Sequence, residues 1–99
     1  MEFLKDYGLV DSDIEEILNA NTKSIINNIE LNKKNVVEII EYFVELGISN
    51  KTIKDLFIQQ IGVFYKTKKE LVTAFDEYEM ESIIKSLNFD VNTFDMIEF

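Results

Sequence analysis

The chain has no cysteine, histidine, arginine, proline or tryptophan, and each absence removes a class of chemistry. Without cysteine there are no disulfides, thiolate nucleophiles or thiolate-bound zinc. Without histidine the commonest general base and the commonest metal ligand are both missing. Without arginine there is no planar fork to clamp a phosphate or carboxylate with paired hydrogen bonds. Catalysis would have to rest on Asp, Glu, Lys, Tyr, Ser and Thr, and no arrangement of these along the chain points to an active site. The lack of proline and the use of only three glycines, Gly8, Gly47 and Gly62, leave few devices for turns between strands and favour helices. No apolar run approaches the ~20 residues of a membrane-spanning helix. The N-terminal stretch MEFLKDYG lacks both the basic region of a signal peptide and the Arg-rich character of a transit sequence, so the expected compartment is the cytoplasm.

What is present describes one domain, residues 1–99, with 46% apolar residues against a net charge of −9. That apolar content is too high for disorder and sufficient for a single small core. Heavy use of Ile, Asn and Lys without Arg points to an AT-rich coding sequence. The centre of the pattern is VVEIIEYFVELG, residues Val36 to Gly47. Lys34, Glu38, Glu41 and Glu45 recur at helical spacing on one narrow face, and nearly everything else there is apolar. Such a helix must be packed from several directions. Asn32 is its expected N-cap and Gly47 its left-handed C-cap.

Internal repetition organises the rest. Gly8-Leu9 followed by Ile14, Ile17 and Leu18 matches Gly47-Ile48 followed by Ile53, Leu56 and Phe57. Asn88-Phe89 followed by Phe94 and Ile97 forms a third, shorter copy, with Asn in the left-handed position. Around these turns the pattern predicts an all-α, stacked helix-pair fold of about five to seven helices. Phe3 to Tyr7 is a short leading helix. Asp11 or Ser12 caps the next, which runs to about Asn19, with Leu18 in its buried stripe. Ser24 to Ile29 forms a short turn or an extra helical turn, and Ser49 caps a helix that stops at Gly62. Val63 to Tyr65 is an apolar link, with a strand as the competing reading. Thr67-Lys68-Lys69-Glu70 is a capping box. Residues 68–88 are one helix or two, with a further possible box at Asp76 to Glu79, and Asp90 caps a last helix.

Leu46-Gly47-Ile48-Ser49, then Ile53, Leu56-Phe57 and Val63-Phe64, resembles the mitochondrial transcription termination factor (mTERF) repeat. Gly8 to Ile26 gives a weaker copy. The resemblance implies stacked two-helix units in a curved superhelix, with nucleic acid bound on the concave face. The chain departs from the family in having Thr22 and Ile61 where a proline is characteristic, and in its acidity.

Lys33, Lys34, Lys66, Lys68 and Lys69, near the starts of second helices, are the candidate nucleic-acid contacts, with Tyr42 or Tyr65 to stack on bases. Against them stand nineteen acids to ten lysines, and a solvated face is the simpler reading. Asp11, Asp13, Glu15 and Glu16 look like helix-start electrostatics, not a metal site. The acidic run Asp76, Glu77, Glu79 and Glu81 looks like a wet face, not paired catalytic carboxylates. Phe89, Phe94, Ile97 and Phe99 crowd the end of the sequence and are the candidate interface. The expected function is a non-enzymatic acidic binding module without cofactor, acting on a protein partner or a second copy of itself. The alternatives are nucleic-acid binding like the mTERF family, or an acidic nucleic-acid mimic that occupies a basic protein.

Overall fold

A computed structural model describes all residues, 1–99, and contains helices without strands. Six α-helices run in order: α1 (Asp11–Ala20), α2 (Lys23–Leu31), α3 (Lys33–Leu46), α4 (Asn50–Gln59), α5 (Lys68–Phe75) and α6 (Met80–Phe89). Three 3₁₀ segments, Glu2–Tyr7, Ile61–Tyr65 and Val91–Met96, fill the remaining length. Helix α3 is the hub, in contact with α2, α4, α5 and the 3₁₀ segment Ile61–Tyr65. Its Val36, Ile39, Ile40 and Phe43 are wholly buried, and Val44 is the apolar residue that faces water.

Two of the three expected turns are built alike. Gly8 and Gly47 both take positive φ, 89° and 97°. The next N–H then reaches back past the turn, Leu9 to the Leu4 carbonyl at 3.3 Å and Ile48 to the Phe43 carbonyl at 3.0 Å. These are the bonds of a helix C-cap, and each is followed by a buried apolar residue, Leu9 or Ile48. The local repeat is therefore real at these two sites.

Asn88 does not make a third such turn. No residue other than glycine has positive φ, and α6 continues through Phe89 to end at Asp90. The Asn88 side chain instead reaches the Gly47 turn. Its Nδ2 donates to the Gly47 carbonyl at 3.1 Å, while its Oδ1 accepts from the Ser49 N–H at 3.0 Å and the Thr52 hydroxyl at 2.8 Å. An exposed left-handed Asn would satisfy only its own helix end; in the helix, Asn88 can join two elements.

Other boundaries differ for similar reasons. Residues 23–31 form a full helix, α2, instead of an extra turn, with Thr22 as its cap, accepting from the Ile25 N–H at 3.2 Å. Asn32 does not cap α3 with its side chain; its Nδ2 donates to the Asn28 carbonyl at 2.9 Å, so α2 and α3 meet at a one-residue bend. The N-cap of α1 is Val10, one residue before Asp11 and two before Ser12, the expected caps. Valine has no acceptor, but Asp13 Oδ2 accepts from the Val10 N–H at 3.0 Å, which satisfies that donor. Leu18 is exposed, because α1 buries only Ile14 and Ile17. Helix α4 ends before Gly62, which lies inside the 3₁₀ segment with open space where a Cβ would be. Residues 68–88 are two helices, and the second starts with Glu79 as cap: its carboxylate accepts from the Ser82 N–H at 2.7 Å. Expected caps at Ser49, Thr67 and Asp90 are all present, each accepting from a backbone N–H two or three residues on.

The core is a single cluster of 26 apolar residues whose centre is aromatic. Phe57 and Phe64 stack with centroids 3.9 Å apart, and Phe43 lies within 6.0–6.4 Å of Tyr42, Phe64, Phe75 and Phe94. Six of the eight phenylalanines are buried. Side-chain amides stitch the loops over this core. Asn21 donates to the carbonyls of Ile17 and Phe57 at 2.9 and 3.0 Å, tying the ends of α1 and α4. Asn35 donates to the Lys66 carbonyl at 2.8 Å, tying α3 to the 3₁₀ segment. No buried side-chain polar atom lacks a partner.

Candidate functional site

The five candidate lysines sit on neighbouring elements, because the Asn35–Lys66 bond holds the first turn of α3 beside the start of α5. Three of them already face aromatic rings. The Lys33 ammonium is 5.5 Å from the Phe3 ring centroid, Lys66 is 4.8 Å from Phe99, and Lys68 is 5.8 Å from Tyr42. Lys34 and Lys69 are exposed. Of the two tyrosines considered as base-stacking platforms, Tyr42 is buried in the core and Tyr65 is half-exposed. Burial raises the Tyr42 hydroxyl above its ordinary pKa, with Asp76 and Glu45 adding to the shift, so the ring serves packing.

The C-terminal aromatic set is divided by the fold. Phe94 and Ile97 are in the core, which removes them as interface residues. The 3₁₀ segment Val91–Met96 folds back against α4 and α6 and carries them inward. Gln60 holds that segment by donating to Asn92 and Asp95 at 3.0 and 3.1 Å. Phe89 stays 92% exposed, Met96 77% and Phe99 51%, so the exposed apolar groups at this end are these three. Met96 is an addition that the sequence pattern did not single out, since a lone Met carries no periodic signal.

The acids at the start of α1 are used structurally. Asp11 pairs with Lys5 at 2.8 Å, while Asp13 and Glu16 approach Lys54 at 3.7 and 2.8 Å. Hydrogen bonds from Lys5 to Asp11 and Glu2, and from Lys54 to Glu16, raise both lysines above their ordinary pKa. Glu79 is lowered by hydrogen bonds from the Ser82 side chain and backbone. Each of these shifts belongs to an ion pair or a helix cap.

Most of the acidic surface has no such use. Only five of the nineteen acids, Glu2, Asp11, Asp13, Glu16 and Glu30, have a cation within 4 Å, Glu30 through the Met1 ammonium. Between α5 and the C-terminal residues lies an open groove of about 900 Å³. Glu70, Glu77 and Glu98 line it, with Tyr78 and Phe99 as apolar walls and Lys69 as its single cation. The sequence showed Glu77 only as part of a charge run; the groove arises because the C-terminal residues return beside α5.

No family model and no solved structure matches the chain. Among known proteins it is similar to N-alpha-acetyltransferase 35, the NatC auxiliary subunit of Saccharomyces cerevisiae. The two are 26% identical over 85 residues, which is 86% of this chain and 12% of that protein. The chain thus spans a small part of the relative it matches. Within the chain, no helix is long and apolar enough to cross a membrane.

Proposed function

We propose that this domain is a non-enzymatic interaction module that binds another protein through its acidic surface. The carrying observation is that fourteen acids have no cation within 4 Å, on a fold whose buried side-chain polar atoms all have partners. Carboxylates left unpaired on a rigid helical frame are available to a partner and steer a basic one toward it. Exposed Phe89 and Met96 supply apolar contact beside them. The similarity to a protein named as an auxiliary subunit supports the same reading, since a subunit works by assembling with others. The proposed compartment is the cytoplasm.

Affinity capture with the intact chain from its native source, followed by mass spectrometry and reconstitution with the purified partner, tests this. A stoichiometric complex with a protein, weakened by salt, is the expected result. Retention of DNA or RNA without any protein partner overturns it. That outcome belongs to the second reading, nucleic-acid binding like the mTERF repeat, which the Asn35 link between the two lysine groups favours. The net charge of −9 opposes it through repulsion from a polyanion. Self-association through Phe89 and Met96 would appear as a mass that rises with concentration in light scattering.

A further inference from the structure

We propose that the groove between α5 and the C-terminal residues receives a lysine-rich segment of a partner protein, an inference that rests on the interaction-module reading. Three carboxylates, Glu70, Glu77 and Glu98, face one Lys, Lys69, within about 900 Å³ of open space. None of the three has a cation within 4 Å; the domain's side-chain ion pairs lie on Lys5 and Lys54. Glu70 commits Oε1 to the Thr67 N–H at 3.0 Å and leaves its other oxygen free.

Both walls have contacts of their own. The Tyr78 hydroxyl donates to the Met96 carbonyl at 3.2 Å, and Phe99 lies parallel to Phe94 with centroids 6.5 Å apart. A lysine side chain has an apolar stem and a charged tip, which matches this arrangement of ring and carboxylate. The chain's own Lys66 ammonium already lies 4.8 Å from the Phe99 ring centroid, the contact an aromatic wall makes with a cation. The space exceeds one side chain and suits several residues of an extended segment. A nucleic acid would meet the carboxylates with like charge. A second copy would bring ten lysines but also nineteen acids, and its net charge of −9 repels the first.

The test is fluorescence anisotropy of the full chain with a labelled peptide alternating lysine and serine, beside a matched peptide with glutamate in place of lysine. Two double variants with equal net charge are compared. E77Q/E98Q alters the groove; E15Q/E38Q alters exposed acids on α1 and α3. Equal urea midpoints for the two variants establish that both are folded. The expected result is lysine-peptide binding that falls at least ~10-fold in the groove variant and less than ~2-fold in the remote one. The glutamate peptide is expected not to bind. Equal losses in both variants, or no binding of the lysine peptide by the unaltered chain, overturn the groove. If a captured partner still binds E77Q/E98Q as tightly as the unaltered chain, the groove fails while the interaction module stands.

Discussion

The Gly8 and Gly47 turns have the same backbone and are held in different ways. Each is a left-handed glycine followed by a buried apolar residue and a new helix. At Gly8 a local ion pair spans the turn: Lys5, three residues earlier, pairs with Asp11 just beyond it at 2.8 Å. The distant Asn50 side chain lies against this turn without a hydrogen bond. At Gly47 the surroundings are distant and neutral, since Asn88 supplies three hydrogen bonds from across the domain. Exposed ion pairs contribute little, whereas one of the Asn88 bonds, to the buried Thr52 hydroxyl, is shielded from water. A repeated motif thus specifies the turn, and its neighbours decide how firmly it is fixed.

The largest expected difference lies beneath the turns. Phe43→Ala is expected to destabilise by about 4 kcal/mol, because it opens a cavity among four rings. The equivalent Leu4→Ala, also wholly buried, is expected to lose about 3 kcal/mol. Urea denaturation of both measures this, and a Leu4 effect exceeding that of Phe43 would reverse the ranking of the two turns.

Asn88→Ala is expected to cost about 1 kcal/mol, since water can replace it at the exposed Ser49 N–H and Gly47 carbonyl while the buried Thr52 hydroxyl loses a partner. Amide hydrogen exchange should quicken at residues 47–52 and stay unchanged at residues 8–13. Uniform acceleration would mean that the contact is not specific to the second turn.

Alanine at either glycine forces a side chain into positive φ, costing about 1 kcal/mol. The two then separate. A Cβ on Gly47 meets only Ile84, at 4.0 Å, but one on Gly8 overlaps the Asn50 amide. Asn50 is exposed and can swing away, so Gly8→Ala should cost only a few tenths more. That excess should vanish in the Gly8→Ala/Asn50→Ala double variant; its persistence would locate the strain in the backbone.

The caps after the turns differ in chemistry. Ser49→Ala should lose about 1 kcal/mol, and Val10→Ser should gain about 0.5 kcal/mol, because Val10 has cap geometry but no acceptor. Thermal unfolding reads both signs. Loss of stability in Val10→Ser would show that the half-exposed valine packs usefully.

The smallest effect is one of pH. Glu79 opens α6, the helix that carries Asn88, and its pKa is depressed by bonds from Ser82. A depressed carboxyl stabilises above its unfolded pKa, and that contribution fades as pH falls through the lower folded value. Amide shifts of Ser82 should therefore titrate below the ordinary glutamate range, and Glu79→Gln should abolish the titration. A titration midpoint at or above the ordinary value would contradict the cap.

What the sequence determined by itself is local. Gly8, Gly47, Ser49, Thr67 and Asp90 were legible because a positive φ or a bond to an N–H two or three residues away needs no distant partner. The apolar density around Ile39, Ile40 and Phe43 marked the hub for a similar reason, since a helix apolar on most sides must be covered. Contacts across the domain were decided only by tertiary structure. Asn88 had the right residue type for a third turn, yet bonds to the second turn were available only once α6 packed beside it. Leu18 and Phe57 occupy equivalent positions after their turns, but Phe57 has Phe64 to stack on and Leu18 has water. The groove of Glu77 and Tyr78 likewise exists because the 3₁₀ segment folds back, a path set by burial of Phe94 and Ile97 and invisible to spacing alone.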